Sequence, residues 1–284
     1  MQSFNAQFIR TQSRIARAFF LCVKILQDRL SSRKTLKILF SDNPTIWQKP
    51  IRKGFLFSKH QIAFHAFSSN SISQYDLVVP LNVADLKYLD ENRHLVASNP
   101  IPIPSWASVQ LCDDKYRFNQ TLEAKGFGHF IPKISGQLSY PYILKKKTDE
   151  WGKNCFIIYG PEQEQEHAAH LINKEFFVQE IIAGHEEFAT HILHRDGKIL
   201  CSLNIQYTFN TDLPIKGQDK KFSRQIVHCP YLDAFADILN AINFEGLCCF
   251  NYKVRDGQAM ILEINPRFGG SLCQYFISFF RHLT

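Results

Sequence analysis

Apolar residues recur at positions 4, 8, 15, 19, 22, 26 and 30, a spacing that predicts one helix over residues 4–30. Arg10, Arg14, Arg17 and Lys24 form a second stripe beside that seam, and Ser31-Ser32-Arg33 breaks the pattern. Short strands come next. Leu36-Lys37-Ile38-Leu39-Phe40 and Tyr75-Asp76-Leu77-Val78-Val79-Pro80 are apolar runs of strand length, and residues 83–92 read as a helix. Together they predict a small βαβ-type α/β unit over 34–104. Ile101-Pro102-Ile103-Pro104 is a stiff, extended linker and marks the boundary between this unit and the C-terminal part of the chain. Beyond it a helix opens at Asp113-Asp114, where a side-chain acceptor suits the unpaired N–H groups, and stops at Gly126. Strands are expected at 140–147, at 155–158, at 176–182, and as one long strand from the Glu186-Glu187 pair to Leu200. A hairpin turned at Asp256-Gly257 joins residues 246–252 to residues 261–265.

Composition sharpens this picture. The 284 residues are 45% apolar and 21% charged, a globular balance. With 25 Phe, 10 Tyr and 3 Trp, the core has much ring area to bury. No apolar run reaches the ~18 residues of a membrane-spanning helix. The net charge of +7 is uneven: residues 1–53 hold eleven Lys and Arg against Asp28 and Asp42, a local +9, so the remainder sums to −2. A near-neutral body argues against nucleic acid as a partner. For the basic head (1–33) three readings stay open: a helix packed on the body, a helix docking on a membrane surface or a protein partner, and an Arg-rich organelle-targeting segment. A secretory signal is disfavoured, because Lys24 interrupts the apolar stretch 18–26 and no small-residue cleavage site follows. The eight cysteines show no Cys-x-x-Cys spacing and read as reduced core thiols of a reducing compartment, the cytoplasm. His167/His170 and His191/His194 have no Cys or acidic partner at metal spacing, so no zinc site is expected.

Four segments beyond the linker carry candidate chemistry. Lys115 follows two aspartates at a helix start, a position that alone suits a surface lysine. Lys145 and Lys147 share one face of a strand end while Lys146 points away; two ammonium groups on one face suit either solvent or an anion such as a polyphosphate. In Gln179-Glu180-Ile181-Ile182 a buried strand ends in polar residues that can offer backbone groups to a base edge. The Glu186-Glu187 pair beyond Gly184 is either a carboxylate for ribose hydroxyls or an exposed acidic loop. The fourth segment is the most specific: Glu263, Asn265 and Arg267 alternate along Ile261-Leu262-Glu263-Ile264-Asn265-Pro266-Arg267 and so face one way. A carboxylate, an amide oxygen and a guanidinium on one face suit Mg²⁺ and phosphate, and a cation offsets the cost of an acid on an apolar strand.

In this order the segments resemble the ATP-grasp superfamily over roughly 105–284. The resemblance implies an α+β ATP-grasp domain at 105–284, preceded by the small α/β domain at 34–104 and the basic helix at 1–33. It implies Lys115 and Lys145 near nucleotide phosphates, with Lys147 beside Lys145 as the strand face suggests, Gln179, Glu180, Ile181 and Ile182 along adenine, and Glu187, or its neighbour Glu186, on ribose. Glu263 and Asn265 match the metal ligands of a closing Glu-x-Asn-Pro-Arg motif, with Asn251 at the first metal position and Arg267 on the transferred phosphate. Three features depart from the family: the loop 148–152 has one glycine and two acids, the first metal position is Asn, and the chain ends soon after the motif. The implied function is an ATP- and Mg²⁺-dependent ligase, with Mn²⁺ as a substitute metal, that activates a small-molecule carboxylate as an acyl phosphate for attack by an amine. Lys145 and Arg267 would serve the transfer itself. An ATP-grasp kinase or phosphotransferase, or a nucleotide-binding module with little turnover, are the alternatives.

One geometric expectation is independent of the family. A two-residue Asp256-Gly257 turn places Arg255 opposite Gln258 and Phe250 opposite Glu263. Asn251 would then face away from Glu263. A shared metal face therefore requires a third loop residue or a bulge between Asn251 and Ala259.

Overall fold

A computed structural model describes residues 2–136, 138–150 and 152–283, with side chains for all of these except residues 2–13 and Arg281. The side chains of Phe4, Phe8 and Arg10 from the predicted seam and stripe, and Trp151 of the predicted loop, lie outside the described residues. Helix α1 (Gln2–Leu30) leads into β1 (Lys37–Phe40), α2 (Gln48–Gly54), β2 (Gln61–Phe64), α3 (Ser69–Ile72), β3 (Leu77–Val79) and α4 (Val83–Glu91). The three strands form a parallel sheet in the order β2-β1-β3. From Ile38 to Phe40 its central strand is buried on both faces, which is why these residues are all apolar. Leu39 faces a core with Leu86, Leu89 and Ile103, whereas Ile38 and Phe40 face a second core. That second core contains Phe55, Phe268 and Phe276, whose rings surround Phe40, so much of the abundant phenylalanine serves to join the small sheet to the rest. The predicted linker is itself packed: Ile101 and Ile103 are buried, one in each of these cores.

Next come α5 (Trp106–Asp113) and α6 (Lys115–Ala124). Asp113 ends the first of these helices. Asp114 caps the second, its carboxylate accepting from the Arg117 N–H. The strands β4 (Tyr142–Lys146) and β5 (Cys155–Ile158), the short helices α7 (Pro161–Glu166) and α8 (Ala168–Leu171), and β6 (Phe176–Glu180) follow; the strands form an antiparallel sheet in the order β5-β4-β6. The predicted long strand to Leu200 is in fact two, β7 (Glu186–Arg195) and β8 (Lys198–Phe209). Asp196 and Gly197 reverse the chain between them with positive φ, the same two-residue turn as at Asp256-Gly257. Then β9 (Phe222–Val227), α9 (Leu232–Ala241), β10 (Gly246–Arg255) and β11 (Gln258–Asn265) complete a five-stranded sheet in the order β11-β10-β7-β8-β9. Phe118 and Leu122 of α6 and Phe235 and Ile238 of α9 cover one face of this sheet, against Cys248, Phe250 and Tyr252. On the opposite face, Ala189, Leu193, Leu203 and Ile205 belong to the core that contains Phe40.

The head of the chain packs differently from its apolar seam. Phe20, Leu21 and Ile25 of α1 contact the core that includes Phe276 and Phe280, and Asp28 pairs with His60 at 3.0 Å. The seam residues Ile15, Phe19, Leu26 and Leu30 are exposed.

Candidate active site

Strand alternation builds the site. In β10 the even residues Cys248, Phe250 and Tyr252 enter the helix-covered core, so Cys249, Asn251 and Lys253 face the other way, into a cavity that all three line. Register carries that face across the strands: Asn251 lies opposite Ala189 and Cys249 opposite His191, and Glu187 lies opposite Tyr207, which lies opposite Arg224. Asn251, Glu187, His191, Tyr207 and Arg224, with Glu263 from β11, line one cavity of about 510 Å³.

A bulge puts Glu263 in that wall. The turn is a two-residue one, with Arg255 opposite Gln258 and Tyr252 opposite Ile261, but the next pair is Asn251 and Glu263. Leu262 is thus the extra residue, on the second strand and outside the predicted window of 251–259. Ala259 and Ile261 point into the core, while Leu262 and Glu263 both line the cavity. Glu263 Oε1 accepts from Asn251 Nδ2 at 2.7 Å and from Asn265 Nδ2 at 3.0 Å, and Oε2 lies 3.3 Å from Lys115 Nζ. Burial works against the charge, but Lys115, both amides and Lys216 outweigh it and hold the Glu263 carboxyl down at about 2. Burial also opposes the Lys115 charge, and Glu263 outweighs it, raising that lysine above its ordinary value.

The other predicted residues divide. Lys145 is buried in the wall, its Nζ donating to Gln179 Oε1 at 2.9 Å, and burial lowers its pKa. Gln179 is fully buried beneath it and is not part of the lining; its Nε2 donates to Asn119 Oδ1 and to Pro132 O, both at 3.0 Å. Glu180, Ile181 and Ile182 do line the cavity. Lys147 does not share the cavity with Lys145: β4 ends at Lys146, and Lys147 Nζ lies 4.9 Å from the centre of the Tyr116 ring. Glu187 is buried in the wall, whereas Glu186 is exposed and hydrogen-bonded to Gln206. Arg267 lies in the wall with its guanidinium 5.7 Å from the Trp47 ring centre and donates to Glu150 Oε1 at 2.8 Å. From the same loop, Asp149 O accepts from Lys115 Nζ at 2.8 Å. The acid-rich loop therefore lies against two of the wall's cations.

Three contributions go beyond the predicted site residues, one of them from His191, which the sequence sets aside as a zinc ligand. Lys216, from the connection between β8 and β9, lies 3.3 Å from Glu187 and donates to Asn251 Oδ1 at 2.8 Å. Burial raises the Glu187 carboxyl and Lys216 offsets part of this, while Glu187 keeps Lys216 charged against its own burial. Lys253 donates to Ile182 O at 2.8 Å and Gly184 O at 2.9 Å, tying the segment after β6 to the large sheet. Its two-residue spacing from Asn251 on β10 is a usable signal; an isolated loop lysine such as Lys216 offers none. His191 is buried, its imidazole pushed down to about 3 and so neutral, with Nε2 2.7 Å from Ser271 Oγ. A side chain at Gly269 would come within 2.4 Å of that ring, so the glycine after Arg267-Phe268 permits the close approach.

Lys115, Lys145, Lys216, Lys220, Arg224, Lys253 and Arg267 thus line one cavity with Glu180, Glu187, Asp219 and Glu263, a surplus of positive charge in a partly buried space that favours a polyanion. Glu263 and the two amide side chains beside it, Asn251 and Asn265, carry hard oxygens, although the amides now turn their Nδ2 groups to the carboxylate. Among the described residues no group of three or more His, Cys, Asp or Glu is placed to hold a metal ion by itself.

The family model of the ATP-grasp domain matches residues 112–271. No curated protein sequence matches the chain. Among solved structures, the fold is similar to D-alanine–D-alanine ligase from Bacillus anthracis, at 14% identity and a TM-score of 0.57 over 84% of this chain and 89% of that one. It is similar to phosphoribosylamine–glycine ligase from Thermotoga maritima, at 13% identity and a TM-score of 0.61 over 84% and 70%. It is also similar to L-amino acid ligase from Bacillus licheniformis, at 12% identity and a TM-score of 0.59 over 88% and 71%.

Proposed function

The chain belongs to the ATP-grasp family, and we propose that it binds ATP with Mg²⁺ and activates a small-molecule carboxylate for capture by an amine. The observation that carries this reading is the convergence of Lys115, Lys145, Arg267 and Glu263 on one cavity that also has an apolar part. Ile143, Ile181, Ile182 and Leu262 supply flat apolar surface for a base, and Glu187 supplies an acceptor for ribose hydroxyls. Lys115, Lys145 and Arg267 supply positive charge where the triphosphate would lie. For phosphate to reach Arg267 and Lys115, the loop must withdraw Glu150 and the Asp149 carbonyl from them.

The metal site fits Mg²⁺ rather than a softer ion. A single carboxylate with amide oxygens suits a cation that keeps water and phosphate oxygens around it, and Mn²⁺ shares that preference. Glu263 with Asn265 and Asn251, their amides turned to present oxygen, would hold it. Bound there, it would neutralise charge on the phosphates.

In the reaction, a carboxylate oxygen of the acid attacks the γ-phosphorus of ATP and the bond to ADP breaks. The amine nitrogen then attacks the acyl carbon, phosphate leaves, and the nitrogen gives up a proton. Positioning and fixed positive charge supply the catalysis, so no nucleophilic side chain is needed. Trp47, Tyr207, Phe222 and Arg224 add aromatic walls and a guanidinium to the same cavity. We assign them to the acid, which suits a carboxylate with a flat or apolar side group. All eight cysteines are free thiols, which supports a reducing compartment such as the cytoplasm.

The test is ADP release from ATP–Mg²⁺ with pooled amino acids and aryl or alkyl acids. ADP that requires an acid, with product that requires an amine, is the expected result. ADP with a stable phosphorylated product would mark a phosphotransferase, and nucleotide binding without ADP would mark a binding module.

A further inference from the structure

Helix α1 carries apolar residues on two opposite sides. At roughly 100° per residue, Phe20, Leu21, Lys24, Ile25 and Asp28 fall on one side and Ile15, Phe19, Cys22, Leu26 and Leu30 on the other. The first side is the one against the body. The second is open to solvent: Ile15 is 65%, Phe19 70%, Leu26 57% and Leu30 78% exposed. A stripe of this length on a surface helix has no counterpart among single scattered apolar residues.

A second feature stands at the C-terminal end of the same helix. Lys59 Nζ donates to Ser31 O at 3.0 Å and to Arg33 O at 2.9 Å, fixing the segment after α2 to the end of α1. At the tip of that segment Leu56 and Phe57 are 55% and 70% exposed. Phe57 has φ 68, a left-handed conformation that is strained for a bulky side chain. The fold thus holds a large ring outward, into solvent, at a backbone cost.

Charge identifies what covers this surface. Residues 1–53 carry +9. Arg14 and Arg29 on the helix, and Lys49, Arg52 and Lys53 just before the tip, are exposed. A second copy would bring a like charge against this one, which opposes self-association. An anionic lipid surface offers both apolar depth and negative charge. No helix among the described residues is long and apolar enough to cross a membrane, so α1 would lie in the interface. We propose that α1 and the Leu56-Phe57 tip dock this protein on anionic lipid, apolar stripe inward and basic residues at the headgroups. This is independent of the nucleotide site.

The experiment is co-sedimentation of the full chain with vesicles of phosphatidylcholine containing one-third phosphatidylserine, against vesicles of phosphatidylcholine alone. The parent should bind the anionic vesicles at low salt, release them at half-molar salt, and ignore the neutral ones. The double variant Phe19→Glu with Leu26→Glu should bind at least about tenfold more weakly. Its unfolding midpoint should match the parent's, because both side chains are already in solvent. Phe57→Gly should weaken binding several-fold while raising the unfolding midpoint, since it removes both the ring and the strain. Failure of the folded parent to bind anionic vesicles, equal binding to both vesicle types, or binding untouched by these variants would overturn the proposal. So would a lipid-free dimer that Phe19→Glu dissociates, which would make a second copy the occupant.

Discussion

Asn251 lies directly opposite Glu263, although its neighbour Tyr252 lies opposite Ile261. The extra residue between them, Leu262, is what lets one strand bury Ile261 and Ile264 in the core and still present Glu263 to the cavity. Deleting Leu262 should leave a regular hairpin in which Asn251 still lies opposite Glu263, so the carboxylate keeps Lys115. The expected cost is therefore below the ~3 kcal/mol of a buried charge stripped of its partner. Urea unfolding of the deletion variant measures it, and a larger loss would show that Glu263 has left the cavity face.

The Glu263 carboxyl should leave a signature in acid. It is held at about 2, against an ordinary glutamate value of 4.5. A lowered carboxyl adds stability that is full above 4.5 and is lost as pH falls through the folded value. The stability difference between parent and Glu263→Gln should therefore be flat from neutral pH down to about 4.5 and then shrink toward about 2. Denaturant midpoints across that range check it; a difference that grows as pH falls would contradict the sign.

Lys253 closes the segment that we assign to the base. Lys253→Met keeps the apolar stem but leaves the Ile182 and Gly184 carbonyls without their donor. The expected destabilisation is about 1–3 kcal/mol, with ATP affinity falling more than in Lys253→Arg. Equal nucleotide affinity in parent and Lys253→Met would separate this lysine from the site.

Glu150 holds Arg267 from a half-exposed position. Removing that charge in Glu150→Gln should free the guanidinium for phosphate and tighten ATP binding about two- to fivefold, the size expected of a partly solvated pair. Titration of intrinsic fluorescence with ATP–Mg²⁺ reads it. Weaker binding would mean that Glu150 helps to hold the nucleotide.

Much of the site was legible because strand alternation is a strict rule. It groups Glu263 with Asn265 and could have added Lys253 to Asn251 in the same way. It fails for Lys147, because β4 stops one residue earlier and the chain leaves the pleat. Gln179 is a different kind of miss: it sits in the strand expected for it, but that places it beneath Lys145, out of the cavity. The division of 186–209 into two strands turns on Asp196-Gly197, a turn signal of the same kind as Asp256-Gly257. The seam of α1 has the right period but the wrong partner, since periodicity reports an apolar face without saying what it meets. Lys216 and Trp47 reach the cavity from distant segments, and no local pattern encodes such a meeting.

The central claim is that this cavity is a nucleotide site whose affinity depends on Lys115 and Glu263. Isothermal titration of the parent with ATP in Mg²⁺, and again with chelator, tests it most directly. Saturable binding that weakens at least about tenfold with chelator, in Lys115→Ala and in Glu263→Gln is the predicted result. No binding by the folded parent at millimolar ATP–Mg²⁺, or equal affinity in all four measurements, would contradict it.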